Sequence, residues 1–162
     1  MTGTEVSVKA LEMFNTRDKY CYIYGAKGEH ISSREIAEEL INTYPDYFEK
    51  YTDSQKEMII ADAVNKTAFD CSGFVCYCGK QPEKNSKGII DSCLPTTISD
   101  WGFDGHGTAG TVLWKEGHIG INRGDGTFIH MAKELGGIEV GKISEYDWTV
   151  CGKLPDVDYS RP

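Results

Sequence analysis

Residues 118–131 read HIGINRGDGTFIHM, two short apolar runs joined by a glycine-flanked turn. Such a pattern signals an antiparallel hairpin. Its natural loop is a type I turn with Gly126 in the left-handed conformation, which gives a three-residue loop over 124–126 with a bulge. That loop pairs Arg123 with Thr127 and Asn122 with Phe128, and it sets Gly120 opposite His130 and His118 opposite Ala132. Ile119, Ile121, Ile129 and Met131 then share one greasy face, a core face. His118 and His130 share the other, as diagonal neighbours about 7–8 Å apart at Cα. A two-residue loop would slip the register by one and part the histidines. The RGD at 123–125 is read as a turn, not as an adhesion signal.

The same texture extends on both sides. TVLW, HIGINR, TFIHMA, GIEV and WTVCGKL read as short strands between glycine-rich turns. The chain upstream is helical. Residues 4–15 form a helix that presents either Val8, Leu11 and Phe14 or Val6, Ala10 and Met13. SSREIAEELINTY is a helix with Ser32 and Glu35 as a capping box, a stripe of Ile36, Leu40 and Tyr44, and Pro45 as its limit. TDSQKEMIIADAVNK is another, with Thr52 and Gln55 as its box. YCYIYGA alternates aromatic and small residues before a turn, and 80–110 reads as irregular loops around a cleft. DVDYSRP reads as a tail. Helices first and an antiparallel meander second make an α+β domain, one unit over 1–162.

At 162 residues the chain can bury about two-thirds of its unfolded surface without staples. A net charge of −8, with no Lys/Arg cluster, argues against nucleic acid as a partner and offers no patch for a membrane. No apolar run reaches the length of a membrane span, and the N-terminus has no signal-peptide pattern. Synthesis in a reducing compartment is therefore expected, with the chain a monomer.

Three of the six cysteines fall within DCSGFVCYCGK, residues 70–80. The Cys-x4-Cys-x-Cys spacing is not a zinc pattern. On a helix, Cys71 and Cys78 lie about 10 Å apart along the axis, and Cys76 points about 140° from Cys71. Neither one metal nor a Cys71–Cys78 disulfide fits that geometry, so no metal is expected, and the thiol mechanism read below implies no organic cofactor either. Cys76 and Cys78 read as packing residues. Cys71 differs. It opens a helix expected to stop at Gly79, with Asp70 as N-cap, and the helix N-terminus favours thiolate. Gly73 allows a close backbone approach.

A nucleophile needs a base. Of four histidines, His30 reads as solvated and His106 sits in a glycine-rich loop. His118 and His130 are paired by the hairpin. A base whose tautomer is fixed by a third group matches Cys71, His118 and His130 in a papain-like division of labour.

At this point YIYGA, DCSGF, GTVLWKEGHIGI and GDGTFIHMA, in that order, resemble the blocks of the NlpC/P60 cell-wall cysteine peptidases. The resemblance covers the chain outside 27–68 and 80–109. It implies a papain-like α+β fold, N-terminal helices on a C-terminal antiparallel sheet. It implies hydrolysis of peptidoglycan stem peptides at the bond between γ-D-glutamate and a diamino acid, through a thioester acyl-enzyme. Carried over by position, Cys71 is the nucleophile, His118 the base and His130 the orienting residue. Tyr22 assists the oxyanion site, and Asp70 and Ser72 hold the substrate's amino end. Two departures stand out. Gly110-Thr111 replaces the family's Gly-Asp, and a helical insertion over about 27–68 borders the cleft. With no wall-binding module in view, a phage lysin released by a holin, a recycling enzyme or an excised domain of a secreted protein all match. A CHAP-type N-acetylmuramoyl-L-alanine amidase and a non-catalytic peptide-binding module are the rival readings.

Overall fold

The computed structural model describes residues 1–160; Arg161 and Pro162, the end of the expected tail, lie outside the described residues. The chain opens with α1 (Gly3–Asn15), whose N-terminus is closed by a reciprocal box between Thr2 and Glu5. Of the two candidate stripes, Val6, Ala10 and Met13 are fully buried, and Val8 is exposed.

A sheet not foreseen in the sequence follows. It consists of β1 (Tyr20–Tyr22), β2 (Lys27–His30) and β3 (Thr67–Phe69), in the order β1-β3-β2. The β1–β3 pair is parallel and β2 is antiparallel to β3. Strands of three or four residues are too short to show a period of two. Between β2 and β3 run α2 (Arg34–Thr43), α3 (Pro45–Phe48) and α4 (Asp53–Ala63). The segment 27–68, expected to be helical, is thus helical only in its middle and begins and ends in strands. Ile23, Ile31, Ala37, Ile41, Phe48, Ile59 and Ala63 form its own core against β1 and β3.

The α4 box forms both ways, Thr52 with Gln55. The α2 box does not. Its N-cap is Ser33 with no side-chain capping bond, and the Ser32 N–H that a box would use pairs with the His30 carbonyl instead. The one-residue shift puts Glu35 at the second helical position instead of the third. On α2 the buried residues are Ala37 and Ile41, with Ile36 and Leu40 packed against them; Tyr44 leaves the expected stripe, exposed, and packs edge-on against Tyr24.

Next comes α5 (Cys71–Gly79). The left-handed residue that ends it is Lys80, at φ +49°, not Gly79. Gly79 stays helical and is small for another reason: a Cβ there would come within 2.6 Å of Leu154 Cδ1. Within 80–110, expected to be irregular, lie α6 (Ser86–Ser92), capped by Asn85, and α7 (Ile98–Trp101).

The C-terminal half is the expected five strands: β4 (Val112–Lys115), β5 (His118–Asn122), β6 (Thr127–Met131), β7 (Ile138–Lys142) and β8 (Val150–Gly152). They run β7-β6-β5-β4-β8, every neighbour antiparallel. The β5–β6 register is the one the three-residue loop requires, with Ile121 opposite Ile129 and Asn122 opposite Phe128. The loop is not a type I turn, however. Gly124 sits at φ +84°, held by a bond from its N–H to Asn122 Oδ1 and one from the Gly107 N–H to its carbonyl. Ile119, Ile121, Ile129 and Met131 are fully buried in the core that also contains residues of α1 and α5. Each such side chain contributes roughly 2 kcal/mol of burial.

The expected tail is pinned. Gly3 N–H bonds the Asp158 carbonyl, and the Tyr159 hydroxyl bonds the Gly110 carbonyl. Among the described residues no helix is long and apolar enough to cross a membrane.

Candidate active site

Cys71 is the first residue of α5, and the helix start is tied down by Asp70. Asp70 Oδ1 accepts the Gly73 N–H at 2.7 Å. A Cβ at Gly73 would lie 2.7 Å from the Ala26 carbonyl oxygen, so only glycine lets the helix dock on the turn after β1. The cysteine is 8 % exposed, and the backbone N–H groups of Ile119 and Ser72 act to favour its thiolate. Helix α5 packs on β5, the strand that His118 opens.

His118 opens β5 and its Nε2 lies 2.7 Å from His130 Nδ1 on β6. The pair is therefore on one face, as the hairpin register requires. Gly120 between them is constrained by space. A Cβ there would sit 3.2 Å from both His130 Cβ and the Trp148 ring. Trp148 stacks on His118 with ring centres 5.4 Å apart, and Tyr146 and Phe128 pack edge-on against His130. None of these three aromatics was singled out in the sequence. Trp148 reads there as the first residue of a strand, yet β8 starts two residues later and Trp148 caps the imidazole instead. His30 and His106 are exposed, on β2 and in the loop before β4.

The electrostatics differ from the thiolate expected at a helix N-terminus. Burial pushes the Cys71 thiol up to about 11, and the Asp70 charge adds to it; the Ile119 and Ser72 hydrogen bonds and Lys27 pull the other way and lose. Burial also pulls His118 down to about 4, helped by Lys115 and opposed by Asp147. His130 falls to about 3 by burial, then by His118 and Lys115. Burial thus favours the neutral form of the thiol and of both imidazoles. Desolvation outweighs the helix dipole, whose effect is about 0.3–1 kcal/mol at exposed sites.

Tyr22, Asp70, Cys71 and Ser72 line one cavity of about 450 Å³. Tyr24 and Tyr44 form an aromatic wall of it, and Asn85, Ser86, Lys87, Glu116 and Gly117 lie around it. The histidine pair is not part of this wall, but Gly117 leads directly into His118. Tyr22 is 7 % exposed, and burial, then the Cys71 charge, raises its hydroxyl pKa. Tyr146 also feels the Cys71 charge, which joins the histidine side of the site to the cysteine side.

Asp70 and Ser72 already hold an ammonium group, and it belongs to the chain. Lys27 Nζ lies 2.7 Å from each Asp70 carboxylate oxygen and 2.7 Å from Ser72 Oγ. Nothing near Asp70 in sequence announces this partner, 43 residues away. Cys76 and Cys78 pack as expected, Cys76 Sγ on the Pro82 carbonyl and Cys78 Sγ on Met13 Sδ. All six cysteines are free thiols.

No family model matches the chain, and no curated protein matches it. Solved structures do. NlpC1 from Trichomonas vaginalis is 13 % identical with a TM-score of 0.53, over 97 % of this chain and 44 % of that one. NlpC2 from the same organism is 14 % identical with a TM-score of 0.53, over 96 % and 46 %. This chain therefore spans less than half the length of either. The NlpC/p60 domain of the peptidoglycan hydrolase SagA is 17 % identical with a TM-score of 0.52, over 95 % of this chain and all of that one. Helices on an antiparallel sheet, a cysteine at a helix N-terminus and these superpositions agree: the chain has the NlpC/P60 fold.

Proposed function

We propose that the chain belongs with the NlpC/P60 peptidases and is a peptidoglycan hydrolase, a cysteine endopeptidase that cuts stem peptides at the γ-D-glutamyl–diamino acid bond. The observation that carries this reading is the imidazole pair, His118 Nε2 to His130 Nδ1 at 2.7 Å, on the strand against which the Cys71 helix packs. The fold shared with the SagA domain supports the substrate class.

The mechanism follows from the neutral resting state. With Nε2 engaged by His130, Nδ1 is the nitrogen of His118 left to act as base. As Cys71 Sγ attacks the amide carbonyl, its proton passes to His118 Nδ1. The Cys71 N–H and the Tyr22 hydroxyl stabilise the tetrahedral oxyanion, an effect worth about 3–4 kcal/mol for a well-placed donor. The imidazolium returns the proton to the leaving amine, and a thioester remains. Water activated by His118 then hydrolyses it. His130 orients His118. Asp70 and Ser72 act on the substrate side through Lys27, whose ammonium they hold at the cavity. Tyr24 and Tyr44, the latter from the segment treated as an insertion, form the wall along which a stem peptide lies.

The pH profile follows in sign. His118 must be neutral to take the thiol proton, and burial keeps it neutral down to about 4. Activity is therefore expected to persist through mildly acidic pH and to fall only as pH drops through that region. An acid limb near 6.5, the value of an exposed imidazole, would contradict the buried neutral pair. Mass analysis of fragments released from purified peptidoglycan tests the bond. Termini at γ-D-glutamate and the diamino acid are expected. Termini at N-acetylmuramic acid and L-alanine would indicate a CHAP-type amidase, and a wall bound but left intact would indicate a peptide-binding module.

A further inference from the structure

The histidine pair does not end at His130. In the register of the sheet, Glu139 of β7 stands directly opposite His130 of β6. Its side chain therefore leaves the sheet on the face that carries both histidines. Glu139 Oε2 lies 3.7 Å from His130 Nε2. Three adjacent strands contribute one residue each to a row: His118, His130, Glu139.

We propose that Glu139 is a positioning residue that fixes the proton of His130 on Nε2 and thereby leaves Nδ1 of His118 bare, as a base for Cys71 requires. This rests on the reading of Cys71 and His118 as nucleophile and base.

The reasoning is a count of protons. A 2.7 Å contact between two neutral imidazoles holds a single proton. If His130 Nδ1–H donates, His118 must carry its own proton on Nδ1, where it blocks proton transfer from the thiol. If His118 Nε2–H donates, Nδ1 is free. The two rings cannot make that choice themselves, since either can be donor. The choice falls to whatever faces the far nitrogen of His130. A carboxylate there requires an N–H, which makes Nδ1 the acceptor. Among the described residues that line this side of His130 there is no competing carboxylate. A cavity of about 360 Å³ opens at this point, lined among others by Phe128, Lys133, Tyr146 and Glu139, and Glu139 is the one acid in that wall. Lys133 is an ammonium and cannot accept. Lys115 lowers the basicity of both rings, and Asp147, which acts on His118, is paired to Lys115 at 3.0 Å. At 3.7 Å the carboxylate is just outside direct hydrogen-bond range, and the cavity gives it room to turn inward or to bond through one water.

In the reaction one proton moves, from Cys71 Sγ to His118 Nδ1. His118 Nε2–H goes on donating to His130. Glu139 takes no proton; its charge favours the imidazolium as it forms.

Two readouts separate this proposal from the peptidase reading. The first needs no substrate: ¹⁵N NMR of histidine-labelled protein at neutral pH. The wild type is expected to show His130 with a protonated Nε2 and a bare Nδ1, and His118 with a bare Nδ1. Glu139→Ala is expected to mix the tautomers at both rings. The second is turnover of a stem peptide. Glu139→Ala is expected to lose about tenfold or more in kcat, as loss of an outer orienting partner does, with KM within twofold, and Glu139→Asp to recover most of it. Glu139 is half exposed at the surface, so the variants keep the core intact. A wild-type His130 protonated on Nδ1, or a Glu139→Ala protein with unchanged tautomers and kcat, overturns the proposal. An inactive wild type with the expected tautomers would sink the peptidase reading and leave the positioning role standing.

Discussion

Cys71→Ala is expected to abolish turnover, by roughly 10⁴-fold or more, and so is His118→Ala. The double variant is expected to be no worse than either single one. Groups that act as one unit fail together, so their losses do not add. This follows from the site's construction. The surroundings of Cys71 do not on balance favour its thiolate, because burial and the Asp70 charge outweigh Ile119, Ser72 and Lys27 and hold the thiol up at about 11. On the proposed mechanism the thiol hands its proton to His118 as it attacks, and burial holds His118 neutral and able to take it. Losses that add would mean that Cys71 and His118 serve separate steps. Circular dichroism and thermal unfolding of each variant confirm that the fold is retained.

Asp70→Ala is expected to have the largest effect on stability. One carboxylate caps α5 through Gly73 and pairs with Lys27 through both oxygens, with side chains only 11 % and 20 % exposed. Removing it loses a cap, about 1 kcal/mol, and strands a largely buried ammonium, the costly way to break such a pair. A total of about 3 kcal/mol is expected, or a Tm drop of about 10 °C. Two further variants divide the effect. Asp70→Asn can still cap and isolates the cost of the ion pair. Asp70→Ala with Lys27→Met removes the stranded charge and is expected to recover more than 1 kcal/mol of the single loss. Simple additivity of Asp70→Ala and Lys27→Met in thermal unfolding would contradict the pairing.

What could be read in the sequence was local. The hairpin register was legible because a core face of four apolar residues and a glycine-flanked loop fix the pleat. The α5 start was legible because an N-cap acts within three residues of itself. The remainder depended on distant partners. Lys27 on Asp70 and Trp148 on His118 are contacts between segments far apart in the chain, and Glu139 meets His130 only once the register across the irregular 132–137 turn is known. The β1-β3-β2 sheet is built of strands too short to carry a pattern. Ser32 and Ser33 are equivalent as caps until the backbone of His30 chooses between them. The upward pull on the Cys71 thiol is hidden for the same reason. A helix N-terminus is visible in sequence, whereas the packing that desolvates the sulfur is not.

The measurement that bears most directly on the central claim is the release of soluble fragments from purified peptidoglycan by the wild type beside Cys71→Ala. The account predicts stem-peptide fragments, identified by mass, from the wild type and none from the variant. Equal release by both, or no release by the wild type from walls of any peptide chemistry, would contradict it.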